Sequence, residues 1–304
     1  MAAVTAPVTV FLAGFGGPES IDEVPGFVES VLGRKPPDHV VPEVVKRYET
    51  IGGGSPLPGT TRRQAALLEK ELVRRGHPQV RVHVGMLHAR PTIAATADLI
   101  VSGGVEDVVV VSLAPYRCEV STDAYEQAVA DALGGRVGSV RFAADWNLSP
   151  RYVQALAQTL AAEREAAPPG SPVIFAAHSL PRRMIDQGDP YASQLLETAA
   201  AVAAELGLEH WELAYQSVSA AAREPWLGPS VEEAIDHLVD QGASSVVVDP
   251  IGFIADHVET LYDNDVEHRA HADAVGIGFH RCPCLNEHQG LIGALADVVE
   301  GAIA

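Results

Sequence analysis

The sequence is poor in cysteine, in aromatic residues and in positive charge. Three Cys among 304 residues do not make a disulfide framework, so we expect reduced thiols and a cytoplasmic protein. Lys and Arg number 21 against 40 Asp and Glu, and the resulting net charge of −19 excludes a protein that binds the phosphate backbone of nucleic acid. No apolar run reaches the roughly 18 residues of a membrane span, and we expect no signal peptide.

What the chain does have is enough apolar sequence for a core, arranged in a regular alternation. Apolar residues make up 47% of the chain, and short apolar runs alternate with longer amphipathic segments such as Ala255–His271. Continuous apolar runs are typical of parallel strands covered on both faces. The sequence therefore predicts an α/β fold with doubly wound parallel sheets. The predicted strands are Val8–Leu12, Val80–Gly85, Asp107–Ser112, Ser139–Phe142, Val173–Ala177, Trp211–Tyr215, Ser245–Asp249 and Val275–Phe279.

The alternation runs twice along the chain, which predicts two similar halves. A stretch that contains Pro and Gly, Ala167–Pro172, is a candidate hinge close to the start of the second set of strands. We predict an N-terminal domain over residues 1–147 and a C-terminal domain over residues 148–287. The closing helix, within 288–304, is expected to pack on the first domain.

Two candidate sites follow from the position of polar residues after predicted strands. In open α/β sheets, ligands bind beyond the carboxyl ends of the strands. His178 leaves a buried strand at that end, which favours a functional role for it. Glu259, Asp263 and Glu267 are spaced at i, i+4 and i+8, so an α-helix would place them on one face. Such carboxylates form either a set of cation ligands or a solvated acidic face, and the sequence leaves both open.

Eight motifs in order make the chain recognisable as a relative of a known family. They are GFGGPES, RYETIGGGSPL, AHSLP, GDPY, YQS, WLGP, PIGFIADHVETLYDND and ALADVV. With them the chain resembles the ferrochelatase family from Val8 to about Val299. The resemblance implies two Rossmann-like domains with a porphyrin cleft between them. It also implies that the chain inserts Fe²⁺ into a porphyrin during haem biosynthesis, with release of two protons.

The resemblance also assigns roles to individual residues. It makes His178 and Glu259 the catalytic pair, which we expect to be donated by separate halves of the molecule and to face each other across the cleft. It assigns metal contacts to these two residues and to Asp263 and Glu267. The residues expected to contact the porphyrin are Phe15, Gly16, Gly17, Pro18, Ser55, Pro56, Tyr116, Gln216, Ser217 and Trp226. The partners implied are porphyrin and ferrous iron, with at most transient contact with a membrane surface.

The chain departs from the family pattern at two places. Family members that act on coproporphyrin III carry a Tyr in the first loop, where this chain has Phe15, so both coproporphyrin III and protoporphyrin IX stay open as substrates. Some members hold a [2Fe–2S] cluster on four Cys thiolates. This chain offers Cys118, Cys282 and Cys284, which are either three ligands of a cluster or reduced structural thiols.

Two other functions are compatible with the same scaffold. One is a chelatase that inserts cobalt or nickel into sirohydrochlorin, although such enzymes lack the long DHVETLYD segment. The other is a tetrapyrrole- or haem-binding protein without activity. The presence of both His178 and Glu259 argues against such a binder, because binding alone requires neither a base nor a metal ligand.

Overall fold

The chain forms two compact units in the computed structural model, which describes residues 9–218 and 223–304. The first unit contains the chain up to Trp146 together with Asn286–Ala304, and the second unit is Asn147–Leu285. Val8, the first residue of the first predicted strand, lies outside the described residues.

Each unit contains a four-stranded parallel sheet. The strands are β1 (Thr9–Gly14), β2 (Arg81–Met86), β3 (Asp107–Ser112), β4 (Ser139–Phe142), β5 (Val173–His178), β6 (Trp211–Gln216), β7 (Ser245–Asp249) and β8 (Gly278–Arg281). Their order is β2-β1-β3-β4 in the first unit and β6-β5-β7-β8 in the second. This confirms the predicted fold class. The last strand begins later than predicted, because the preceding helix runs to Val275 and ends at Gly276, whose φ of 78° favours glycine.

Helices flank both sheets. The α-helices are α1 (Val24–Leu32), α2 (Val40–Thr50), α3 (Leu57–Arg74), α4 (Ile93–Ser102), α5 (Ala124–Leu133), α6 (Pro150–Ala166), α7 (Arg182–Asp186), α8 (Tyr191–Leu206), α9 (Val231–Asp240), α10 (Arg269–Val275) and α11 (Gln289–Ile303). The prediction of one amphipathic helix over Ala255–His271 is wrong. That segment is a loop followed by a π-helix, Glu259–His268, which leads into α10. Within residues 9–218 and 223–304, no helix is long and apolar enough to cross a membrane.

The central strands of both sheets are buried, which explains why their sequences are continuously apolar. All six residues of β1 and all five of β7 are buried. Each of the two units has its own cluster of buried apolar side chains between sheet and helices, with Phe11 in the first and Ile174 in the second. Hydrophobic burial therefore fixes the strand positions and leaves the carboxyl ends of the strands for polar side chains.

The C-terminal helix α11 packs against α3 in the first unit, and Arg75 ties the two together. The Arg75 side chain is 13% exposed and donates to Asp297 Oδ1 at 2.6 Å, to Glu300 Oε2 at 2.8 Å and to the carbonyl of Gly293 at 3.1 Å. Glu71 accepts a further bond at 2.7 Å from the Arg75 guanidinium. A buried guanidinium satisfied in this way holds helices that are far apart in the sequence.

Candidate active site

The candidate site is built around a histidine and a glutamate that contact each other. His178 is the last residue of β5, and its Nδ1 lies 2.9 Å from Oε2 of Glu259, the first residue of the π-helix. The two side chains are 33% and 29% exposed, so both are accessible to a substrate. The hydroxyl of Tyr191 donates to the backbone carbonyl of His178 at 3.1 Å and fixes the end of the strand.

The prediction that the two residues come from separate halves of the molecule is wrong, because both lie in the second unit. The strand order places β7 beside β5, and the loop that follows β7 crosses over the end of β5. The N–H of Gly252 in this loop donates to Ala176 O at 3.1 Å. A Cβ at Gly252 would lie only 2.7 Å from Cβ of Ala177, so this close approach requires glycine. The loop therefore delivers Glu259 to His178.

The backbone of Glu259 is held by two side-chain amides. Gln216 Nε2 donates to the carbonyl oxygen of Glu259 at 2.7 Å, and Asn264 Nδ2 donates to the same oxygen at 3.1 Å. Asn264 Nδ2 also donates to Gln216 Oε1 at 3.0 Å. Gln216 was predicted to contact porphyrin. The residue is only 3% exposed, and its side chain forms hydrogen bonds within the second unit. These bonds fix the position of the Glu259 carboxylate relative to β6.

The next carboxylate along the π-helix, Asp263, is held by Ser217. Ser217 has a φ of 62°, in the left-handed region that non-glycine residues rarely adopt, and its hydroxyl donates to Asp263 Oδ2. Asp263 is buried, whereas Glu267 is exposed. The three carboxylates that the sequence predicts on one helical face therefore do not share one environment. The prediction assumed an α-helix, and this segment forms a π-helix instead.

His178 and Glu259 shift each other's pKa in opposite directions. Burial lowers the pKa of His178, but the charge and hydrogen bond of Glu259, together with the charge of Asp263, outweigh burial and raise this pKa above its usual value. Burial favours the protonated form of Glu259, yet His178 and His257 together hold the pKa of its carboxyl well below the usual range. Each of the two residues therefore favours the charged form of the other.

His257 is a site residue that the sequence analysis did not single out. Its Nε2 lies 3.8 Å from Oε2 of Glu259, and its Nδ1 lies 3.1 Å from the carbonyl oxygen of Ala255. Its ring packs against Phe253, with centroids 4.7 Å apart. The signal was its place two residues before Glu259 in the DHVE motif. The Oε2 atom of Glu259 thus lies near two imidazoles, 2.9 Å from His178 Nδ1 and 3.8 Å from His257 Nε2.

Two of the family motifs form a paired loop beside the end of β5. Leu227 N–H donates to Leu180 O at 2.9 Å, and the hydroxyl of Ser179 donates to Leu227 O at 2.8 Å. Trp226 pairs with Pro181 in this loop. The Trp226 Nε1 is buried and has no hydrogen-bond partner within the described part of the chain. The loop that follows His178 is therefore fixed to the segment that carries Trp226.

In the first unit, the predicted porphyrin residues of two loops lie together. Ser55 N–H donates to Pro18 O at 2.7 Å, and a Cβ at Gly17 would lie 2.9 Å from Cβ of Ser55. The ring of Phe15 contacts His88, with centroids 4.7 Å apart. The remaining predicted residues in these loops are Gly16 and Pro56, which neighbour the same contacts in the sequence. Tyr116, by contrast, is 1% exposed and packs inside the unit.

The three cysteines were predicted either as ligands of an iron–sulfur cluster or as reduced structural thiols. All three are free and buried, and burial raises the pKa of the Cys282 and Cys284 thiols, which disfavours the thiolate that binds iron. Among residues 9–218 and 223–304, no group of three or more His, Cys, Asp or Glu side chains is arranged to hold a metal ion. These observations give no support to an iron–sulfur cluster.

Asp249, at the carboxyl end of β7, makes the stability of the fold depend on pH. It is 3% exposed, its Oδ2 has no hydrogen-bond partner among the described residues, and burial raises its pKa from 3.8 to about 7. Because the folded state holds this proton more tightly, the contribution of Asp249 to the free energy of unfolding is most favourable below pH 3.8 and falls as the pH rises to about 7.

We expect Asp249→Asn to raise the free energy of unfolding at pH 8.5 by an amount of the order of a few kcal/mol, since no charge is then buried. At pH 5 the difference from the unmodified chain should be smaller. Urea unfolding of both proteins at the two pH values measures this difference. An equal difference at both values would contradict the expected role of Asp249.

Comparison with solved structures defines the class of protein to which this architecture belongs. SirB from Bacillus subtilis, solved with Fe³⁺, has a TM-score of 0.58 at 11% identity, with 98% of this chain and 96% of SirB covered. CbiX, the terminal enzyme of siroheme biosynthesis in denitrifying bacteria, has a TM-score of 0.56 at 12% identity, with 98% and 100% covered. The two α/β units with polar residues at the strand ends thus have the chelatase fold.

The sequence comparisons identify the family. Residues 7–303 match the family described as Ferrochelatase. The ferrochelatase of Deinococcus radiodurans is 37% identical over 97% of this chain and 95% of its own length. The coproporphyrin III ferrochelatase of Geobacillus thermodenitrificans is 34% identical over 96% of this chain and 95% of its own length. The chain belongs to the ferrochelatase family.

Proposed function

We propose that His178 and Glu259 carry out the reaction of the ferrochelatase family in this chain, the insertion of Fe²⁺ into a porphyrin during haem biosynthesis. The observation that carries the proposal is the 2.9 Å contact between His178 Nδ1 and Glu259 Oε2 at the carboxyl end of β5. In this reaction two pyrrole N–H protons leave as Fe²⁺ binds the four nitrogens, so the site requires a base and a group that stabilises its protonated form.

The orientation of the imidazole supports His178 as that base. A carboxylate only accepts hydrogen bonds, so the proton between the two residues belongs to Nδ1 of His178. The Nε2 atom is then the one that takes a pyrrole proton, and Glu259 stabilises the imidazolium that forms. Within the described residues, no hydrogen bond of Nε2 to the protein competes with this role. After each transfer, the imidazolium must release its proton before it can act again.

The carboxylates of the π-helix supply hard oxygen ligands next to this base. Fe²⁺ is the substrate, and Glu259 with Asp263 offers two carboxylates close to the His178 imidazole. Glu267, the exposed carboxylate of the same helix, is the residue that incoming Fe²⁺ would meet first. We propose that these residues pass Fe²⁺ towards His178. The free state of all three cysteines supports a cytoplasmic location.

The relatives favour coproporphyrin III as the porphyrin. Several relatives at 31–34% identity are named coproporphyrin III ferrochelatase. Protoporphyrin IX is the second candidate, because Phe15 replaces the iron-touching Tyr expected of coproporphyrin enzymes. The phenyl ring of Phe15, which contacts the rings of His88 and Phe27, has no atom that ligates iron.

Parallel assays distinguish these substrates. Under anaerobic conditions, Fe²⁺ is added with the enzyme to coproporphyrin III, protoporphyrin IX or sirohydrochlorin, and the porphyrin absorption bands are followed. We expect the highest kcat/KM with coproporphyrin III and no insertion into sirohydrochlorin. A higher kcat/KM with protoporphyrin IX would reverse the order of the first two substrates. Insertion into sirohydrochlorin alone, or into none of the three, would contradict the proposed function.

A further inference from the structure

We infer that Arg281 is a positioning residue for metal insertion, because its guanidinium holds the π-helix in the register that places Glu259 next to His178. The inference rests on the proposed function. Arg281 is the last residue of β8, and its side chain is 13% exposed. It touches neither His178 nor Glu259 through a hydrogen bond, so it would act through the π-helix.

The guanidinium binds the π-helix segment at two points. Its Nε donates to Asp265 Oδ1 at 2.7 Å, and its Nη1 donates to Asp256 Oδ1 at 3.0 Å. Asp256 lies three residues before Glu259, and Asp265 lies within the π-helix. A planar guanidinium fixes two acceptors relative to one another, which a single ammonium group does not. Arg281 therefore fixes both the entry and the body of the π-helix to the end of β8.

Asp256 extends this anchor into the first turn of the helix. The hydroxyl of Thr260 lies 3.3 Å from Asp256 Oδ1 and 3.0 Å from the carbonyl oxygen of His257, two acceptors that share its proton, and the N–H of His257 donates to Thr260 Oγ1 at 2.9 Å. Thr260 directly follows Glu259 and is fully buried. The hydrogen bonds of Arg281 are thus linked through Asp256 and Thr260 to the chain segments on both sides of Glu259.

The π-helix requires such external contacts. Helices with i→i+5 bonds are rare and occur mostly as single turns, whereas this one spans ten residues. On the side of the site, Gln216 and Asn264 hold the carbonyl of Glu259. Arg281 supplies an anchor between the π-helix segment and β8, and Arg269, just after the helix, donates to the β8 carbonyl of Phe279 at 3.1 Å. Without Arg281, we expect the segment to relax towards α-helical register and to shift Glu259 away from His178.

The test is Arg281→Met, with Arg281→Lys as the conservative variant. We expect kcat for Fe²⁺ insertion into coproporphyrin III to fall by about 10- to 100-fold, because a displacement of about 1 Å has effects of this size. KM for the porphyrin should change by less than about twofold, since the variant removes no substrate contact. Lysine keeps the charge and one contact, so its kcat should lie in between. Amide hydrogen exchange of Glu259–His268 should be faster in Arg281→Met.

Arg75→Met is the matched control. Arg75 is also 13% exposed and is also bonded to several carboxylates, but it ties α11 to α3 in the first unit. Its variant should lose stability and keep the kcat of the folded enzyme. The inference is overturned by a normal kcat in Arg281→Met, by an equal loss in Arg75→Met, or by unchanged exchange in the π-helix.

Two further results keep this inference separate from the proposed function. If the unmodified enzyme inserts Fe²⁺ into no porphyrin, the proposed function fails, and the exchange measurement still decides whether Arg281 holds the π-helix. If Arg281→Met does not fold, the kcat and exchange of Arg281→Lys decide in its place: normal values for both overturn the inference.

Discussion

Replacement of His178 by Ala is expected to lower the rate of Fe²⁺ insertion by about 10²- to 10⁴-fold, the contribution typical of a positioned base. The variant lacks the Nε2 atom that we propose takes the pyrrole proton, whereas the other residues proposed to contact the porphyrin are unchanged. Insertion is measured anaerobically from the porphyrin absorption bands. Binding of coproporphyrin III, followed by the shift of its main absorption band without added metal, should persist.

His237→Ala is the control for this experiment. His237 also contacts a glutamate, with its Nδ1 2.8 Å from Oε1 of Glu212, but it is an exposed residue of α9. This variant should keep the insertion rate. Near-normal turnover of His178→Ala would show that another group is the base. Loss of porphyrin binding together with turnover would assign His178 to binding instead.

Replacement of Glu259 by Gln is expected to change both the rate and its dependence on pH. In the unmodified chain, Glu259 raises the pKa of His178 and disfavours the neutral base at low pH, so kcat/KM falls as the pH drops through that raised pKa. Without the charge of Glu259, burial lowers the pKa of His178 and only the charge of Asp263 opposes it, so this acid limb should move to lower pH. The maximal rate should fall about 100-fold or more, because the imidazolium formed on proton transfer loses its counter-charge.

The pH profile of kcat/KM between pH 5 and 9 measures both effects, and Glu212→Gln is the matched control. Glu212 is 24% exposed, against 29% for Glu259, and also bonds a histidine. Its variant should keep the normal profile. An acid limb of Glu259→Gln that stays in place or moves to higher pH would contradict the assignment of this pKa to His178.

The eight strands and the place of His178 could be predicted from the sequence. Continuous apolar runs such as Asp107–Ser112 and Ser245–Asp249 coincide with β3 and β7, because strands buried on both faces tolerate few polar residues. His178 follows such a run directly, and carboxyl strand ends are where α/β sheets bind ligands. The motifs also identified the family, which the match over residues 7–303 confirms.

The segment Ala255–His271 shows where prediction from the sequence failed. An α-helix and a π-helix bury the same kinds of side chain, so the spacing of Glu259, Asp263 and Glu267 does not distinguish them. The difference depends on partners remote in the sequence. Gln216 in β6 donates a hydrogen bond to the carbonyl of Glu259, and Arg281 in β8 donates to the carboxylates of Asp256 and Asp265.

Local sequence therefore determined the strands, the fold class, the family and the presence of a histidine at the end of a buried strand, because burial of apolar runs and strand polarity are properties of neighbouring residues. Tertiary structure alone decided that Glu259 lies in the same unit as His178 and 2.9 Å from it. It also decided that Asp263 is buried while Glu267 is exposed. Strand order and the helix type of residues 259–268 set these positions, and both depend on contacts between segments far apart in the chain.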